Sequence, residues 1–141
     1  MGIGDCVLDV GCGNGRYIGK LLDAGARVIG YDISPVTIET VAKTYAAVIQ
    51  AGRLQTVGYT LDALTRAVAP RSCDAALMMF GVLGHIRGDA QRVEALRKVR
   101  PFRKPGGRLV VTLPDRALMA VVPLDLAGGF AAVAPLTLEA A

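Results

Sequence analysis

Residues Val7 to Tyr17 read VLDVGCGNGRY, and no other stretch limits the possible fold as much. A run of strand-forming residues carries one acid, Asp9, then breaks into Gly11, Gly13 and Gly15 before helix-forming residues resume. Alternate glycines give up side chains where the backbone needs unusual angles or where something must lie against it. A strand, a glycine turn and a helix together offer free N–H groups and a partial positive charge to a ligand. In a doubly wound sheet that place is the carboxyl edge of the strands. Asp9, a charge within an apolar strand, must either satisfy N–H groups of the turn or meet a ligand.

The rest of the chain alternates strands with helices. Cys6 to Val10 reads as a strand, and Arg16 to Ala24 as a helix with Ile18, Leu21 and Leu22 on one face and Gly25 as its stop. Arg27 to Asp32 is a second strand. Ser34 then caps a helix that takes Pro35 at its first position and keeps apolar residues at helical spacing from Ile38 to Ile49, ending at Gly52. Leu54 to Tyr59 is a third strand and Asp74 to Phe80 an apolar, central fourth. Asp89 is expected to cap a helix carrying Val93, Leu96 and Val99, which Pro101 stops, and Lys104 to Pro114 gives a turn and a fifth strand. This order predicts an α/β fold: a doubly wound, mostly parallel sheet with helices on both faces. The 52% of hydrophobic residues suits strands buried on both sides. One domain is expected, with a core at residues 1–114 and an irregular or truncated tail at 115–141. Pro123, Pro135 and the pair Gly128-Gly129 divide that tail, so at most one further strand is expected there. A sheet left incomplete at its C-terminal side would expose an edge and favour a homo-oligomer or a missing covering segment.

Composition narrows the function classes. A net charge of +4 permits an anionic ligand but does not argue for nucleic acid. The basic cluster Arg97, Lys98, Arg100, Arg103, Lys104 and Arg108 follows a helix C-terminus, where the dipole alone favours cations. It leads into a turn expected at the far end of the sheet from the ligand, so a small-molecule substrate is favoured over RNA. Cys6, Cys12 and Cys73 form no CxxC pair and there is one histidine, so no metal site is expected. Their odd number, without a signal peptide, points to a reducing cytoplasm. The apolar run from Ala117 to Ala134 is interrupted by Pro123, Asp125 and two glycines, so no membrane span is expected.

The glycine spacing is GxGxG, with Arg16 where the dinucleotide fingerprint GxGxxG wants glycine. LDVGCGNG instead resembles the first motif of the class I S-adenosylmethionine-dependent methyltransferases, of the methyltransferase type 11-like kind. Four further signatures follow in order. Asp32 ends the second strand, Asp62-Ala63 stands twelve residues before Asp74, GVLGHI follows the fourth strand, and KPGGRL precedes the fifth. The resemblance covers Asp5 to Pro114. Compared with the family's usual seven-stranded core, both ends look shortened.

The resemblance implies S-adenosyl-L-methionine as cofactor. It places Asp32 on the ribose hydroxyls, Asp62 on the adenine amino group and the Ala63 N–H on the ring. Gly11 and Gly13 would let the methionine part lie on the backbone, with Asp9 near its ammonium. Cys12, Asn14, Gly15, Tyr17, Ile33 and Phe80 complete the expected contacts. Methyl transfer from a sulfonium needs mainly proximity and orientation, and a base only when the acceptor is protonated. His85 is the candidate base; its competing role is to anchor the loop. The leading expectation is therefore a methyltransferase with an unidentified acceptor. A cofactor-binding core without turnover is the alternative, and an NAD-dependent oxidoreductase is disfavoured by the glycine spacing.

Overall fold

Five parallel strands and one antiparallel strand form a single sheet in the order β3-β2-β1-β4-β5-β6. The computed structural model describes residues 3–112 and 119–122. The strands are β1 (Cys6–Val10), β2 (Arg27–Tyr31), β3 (Leu54–Val57), β4 (Cys73–Met78), β5 (Arg103–Thr112) and β6 (Met119–Val122). The chain lays down β1, β2 and β3 in one direction, then returns to place β4 and β5 on the other side of β1. That reversal opens a crevice at the carboxyl ends of β1 and β4, where open α/β sheets take their ligands.

Side-chain alternation splits the core into two layers. Val7, Val28, Leu54, Ala75 and Leu77 face one side and pack with Ile18, Leu21 and Leu22 of α1 (Ile18–Asp23) and Ile38 and Val41 of α2 (Pro35–Thr44). Val48 and Ile49 of α3 (Ala46–Gln50) join that layer. Leu8, Val10, Ala76, Met78 and Leu109 face the other side. They meet Leu64 of α4 (Leu61–Ala67), Leu83 of α5 (Val82–His85) and Val99 of α6 (Asp89–Val99). Leu8, Ile18 and Leu64 are fully buried, and each contributes roughly 1.5–3 kcal/mol through apolar area removed from water.

The expected α/β order holds, with four local differences. The helix expected from Pro35 to Gly52 breaks at Tyr45, which caps the end of α2 and the start of α3. Helix α4 forms where only a motif was read; Thr60 caps it, accepting from the Ala63 N–H at 3.1 Å. Asp89 does not cap α6: Gly88 holds that position at φ 84°, and Asp89 pairs instead with Arg92 at 2.9 Å. The segment GVLGHI is not all loop, since Val82–His85 makes one helical turn. Beyond Pro114, β6 is one further strand, antiparallel to β5; the rest of the expectation about the tail lies outside the described residues. No helix among the described residues is long and apolar enough to cross a membrane.

Candidate functional site

The glycine turn is built by its neighbours. The Gly11 and Cys12 N–H groups both donate to the Tyr31 carbonyl, at 2.7 and 3.0 Å, which fastens the turn to the end of β2. Gly11, Gly13 and Gly15 all have positive φ, between 52° and 82°. Their surroundings differ. A Cβ on Gly13 would meet nothing within 4 Å, so this glycine faces open space. A Cβ on Gly15 would press on Tyr45 and Val41, so this glycine serves helix packing. At Gly11 the space is filled, because a Cβ would come 2.5 Å from Val82 Cγ2. Room for a ligand on the backbone is therefore found at Gly13, not at all three positions.

Asp32 ends β2 and ties the turn from below. One carboxylate oxygen accepts from the Gly13 N–H at 3.0 Å and the other from the Ser34 N–H at 2.9 Å. Each oxygen keeps a further lone pair for a ligand hydroxyl. Asp9 is different. It is 2% exposed, and its Oδ2 has no hydrogen-bond partner among the described residues. Burial, helped by the negative charge of Asp32, pushes its pKa up to about 6. An unpartnered buried carboxylate is costly in isolation and suits a cation or donor arriving from outside. Burial first, then Asp9 and Asp32, push the Cys12 thiol up to about 12, so Cys12 is a small apolar wall and no nucleophile.

These residues border a cavity of about 820 Å³ at the carboxyl edge of β1, β2 and β4, a size usual for small-molecule sites. Asp9, Gly11, Cys12, Gly13, Asn14, Tyr17, Asp32, Ile33, Phe80 and His85 all line it. Three expected residues do not. Gly15 is turned into the α1–α2 packing, and neither Asp62 nor Ala63 reaches the wall. The Ala63 N–H, expected to meet a ring, donates here to Thr60 Oγ1. From this segment Leu61 lines the cavity instead.

The mouth carries an aromatic stack. Phe80 is 59% exposed and holds φ 53°, a backbone region that bulky residues rarely adopt. Tyr17 stacks on it with centroids 5.5 Å apart, and the Arg16 guanidinium carbon lies 4.4 Å from its ring centroid. The sequence reading missed Arg16 as a site residue; its signal was its place directly after the glycines. It also missed Val82, Ile86, Ala95 and Val99, which wall the cavity from α5 and α6. Thr112 Oγ1 accepts from the Gly81 N–H at 3.2 Å, and Arg92 Nε donates to the Leu83 and Ile86 carbonyls, which anchors α5 at both ends. With the loop held this way, exposed His85 lines the cavity with no side-chain hydrogen bond among the described residues.

Residues 7–107 match the family described as "Methyltransferase domain". The tRNA (carboxymethyluridine(34)-5-O)-methyltransferase ALKBH8 of Mus musculus is 31% identical over 108 residues, 77% of this chain and 14% of that protein. The mitochondrial ubiquinone biosynthesis O-methyltransferase of Schizosaccharomyces pombe is 34% identical over 119 residues, 83% of this chain and 40% of that protein. The chain thus spans less than half the length of either relative. Among solved structures, a TehB-like SAM-dependent methyltransferase from Corynebacterium glutamicum superposes with a TM-score of 0.64 at 24% identity, over 79% of this chain and 55% of that one, and shares its fold.

Proposed function

The chain belongs to the class I S-adenosylmethionine-dependent methyltransferases, and from that premise we propose that it transfers the methyl group to a small-molecule acceptor bound in the cavity at the carboxyl edge of the sheet. The observation that carries this reading is the division of the two ends. The cavity and its unpartnered acid lie at one end, and the basic cluster at the other. Within that cluster Lys104 is paired with Asp74, and Arg103 is buried and donates to the Gly107 carbonyl. Of the rest, exposed Arg97, Lys98 and Arg100 sit at the C-terminal end of α6, where the helix dipole accounts for them, and exposed Arg108 lies in β5.

S-adenosylmethionine supplies an electrophilic methyl on a sulfonium when bound. The residues present fit it in part. Asp9 would meet the ammonium, Gly13 would leave the backbone clear, and Asp32 would accept from the ribose hydroxyls with its remaining lone pairs. Ile33 and Leu61 offer apolar surface for the base, while Asp62 and Ala63 are left out of this role. Tyr17, Phe80 and Arg16 cover the mouth and limit water. An imidazole nitrogen of His85 takes the proton where the acceptor is a hydroxyl. The three thiols are free, in keeping with a reducing compartment such as the cytoplasm.

Calorimetry with S-adenosylmethionine, its demethylated product and NAD tests the cofactor; binding of the first two and not NAD is expected. Methyl release on a small-molecule fraction of cell extract, compared with an RNA fraction, tests the acceptor. Release only on RNA would overturn the small-molecule reading. Binding without release on either would favour a cofactor-binding module.

A further inference from the structure

We propose that Cys6 and Cys73 form a reversible oxidation site that closes to a disulfide between β1 and β4 when a hydroperoxide reaches Cys6. Their sulfurs lie 3.8 Å apart, in contact but unbonded. Neighbouring strands run ~4.8 Å apart, within the ~4.4–6.8 Å Cα separation that disulfides span. The pair sits at the amino edge of the sheet, away from the cavity.

The placement of Cys73 departs from what its strand dictates. Ala75, Leu77 and Met79 lie in one core layer, while Ala76 and Met78 lie in the other, with Leu8 and Cys6. Strict alternation would put Cys73 beside Ala75. Instead the register of β4 against β5 breaks between Cys73 and Ala75, and Cys73 joins the layer of Cys6.

The two sulfurs are not equivalent. Cys73 is 0% exposed, whereas Cys6 is the first residue of its strand and keeps 7% of its surface. When Cys6 is ionised, the Cys73 S–H donates to it. That bond, with the charges of Arg27 and Lys104, holds the Cys6 thiol below the usual thiol range against the opposing effects of burial and Asp74. The same contact and burial push the Cys73 thiol up. Cys6, the more exposed of the two and the first residue of its strand, is the attacking thiolate, and Cys73 the resolving thiol.

The chemistry balances in two steps. The Cys6 thiolate attacks one oxygen of hydrogen peroxide, the O–O bond breaks, and hydroxide leaves, giving the sulfenic acid. The Cys73 sulfur then attacks the Cys6 sulfur, the S–O bond breaks, and the Cys73 proton leaves with the hydroxyl as water. The two thiols lose two electrons to the peroxide, and a dithiol reductant reverses the change.

The test is titration of the full chain with hydrogen peroxide under native conditions, read by thiol counting and peptide mapping. Free thiols, counted after the oxidised chain is unfolded, should fall from three to one, with a Cys6–Cys73 cross-linked peptide that dithiothreitol removes. Cys12→Ala should leave the cross-link intact, and Cys73→Ser should replace it with over-oxidised Cys6. Mapping of the unaltered chain decides the matter even if a variant fails to fold. Unreacted thiols, a link involving Cys12, a link between two molecules, or over-oxidation without a link would each overturn the proposal.

Discussion

The two ends of the sheet treat their acids in opposite ways. At the amino end, Asp74 has every partner it needs: Lys104 Nζ donates to both carboxylate oxygens, at 2.8 and 2.9 Å, and the Cys6 N–H donates to one of them. Its carboxyl stays below the usual range, held there first by Lys104 and then by the Cys6 N–H. At the carboxyl end, Asp9 is buried with an unpartnered oxygen, Phe80 is exposed in a left-handed conformation, and Gly13 faces empty space. One end is satisfied by its own chain. The other carries local penalties that no partner among the described residues offsets, as sites of function commonly do.

The sharpest way to break this contrast is to fill the empty space. Gly13→Val is expected to reduce S-adenosylmethionine binding by at least about 100-fold, because a branched side chain would stand where the backbone must stay clear. Its positive φ also costs about 1–2 kcal/mol of stability. Calorimetry and a thermal melt separate the two effects; retained affinity in a folded variant would remove Gly13 from the site.

Asp9 should show the contrast as a trade. Its folded pKa of about 6 lies above the ordinary carboxylate value of 3.8, so the folded state holds the proton more tightly than the unfolded chain. The stability it contributes is thus present at low pH and lost as pH rises from about 4 through about 6, by roughly 2–3 kcal/mol in all. Asp9→Asn is expected to flatten that part of the pH profile and to stabilise the free protein at neutral pH by a similar amount, while weakening cofactor binding. Denaturant midpoints across pH, paired with calorimetry, check both halves. A variant less stable than the parent at pH 7 would contradict the assignment.

Asp32→Ala should weaken cofactor binding by about 1–3 kcal/mol, through loss of charge-assisted bonds and of the tether on Gly13. Asp74→Asn should matter least. Its ion pair is partly exposed, so the melting temperature is expected to move by no more than about 3 °C and cofactor affinity not at all. A shift in affinity would mean that the two ends are coupled.

Local signals were legible in the sequence where chemistry is local. β1 spans the residues expected, because its apolar run is bounded by a turn and by glycine. Ser34 does cap α2, accepting from the Thr37 N–H at 3.3 Å. Half of the cavity lining could be read as well, since Gly11, Gly13, Asp9 and Asp32 sit at two strand ends. What could not be read depends on distant contacts. Nothing near Cys73 announces that it joins the layer of Cys6, at the point where the register of β4 against β5 shifts. The walls from Ala95 and Val99 require α6 to be laid over β4. The helix around Asp62 could not be read from its motif either: the Thr60 cap commits that segment to α4, with the acid exposed in its first turn.

The contact between Gly11 and Val82 joins two loops that the chain keeps seventy residues apart. The methyl of Val82 rests where a side chain at position 11 would be, so the glycine turn and the helical turn carrying His85 meet like two gear teeth. A side chain at position 11 could be admitted only by moving Val82, and with it the turn that carries His85. By the same contact, a ligand that braces the turn also braces His85. The choice of valine and glycine at these positions thereby sets how closely the two halves of the crevice keep step.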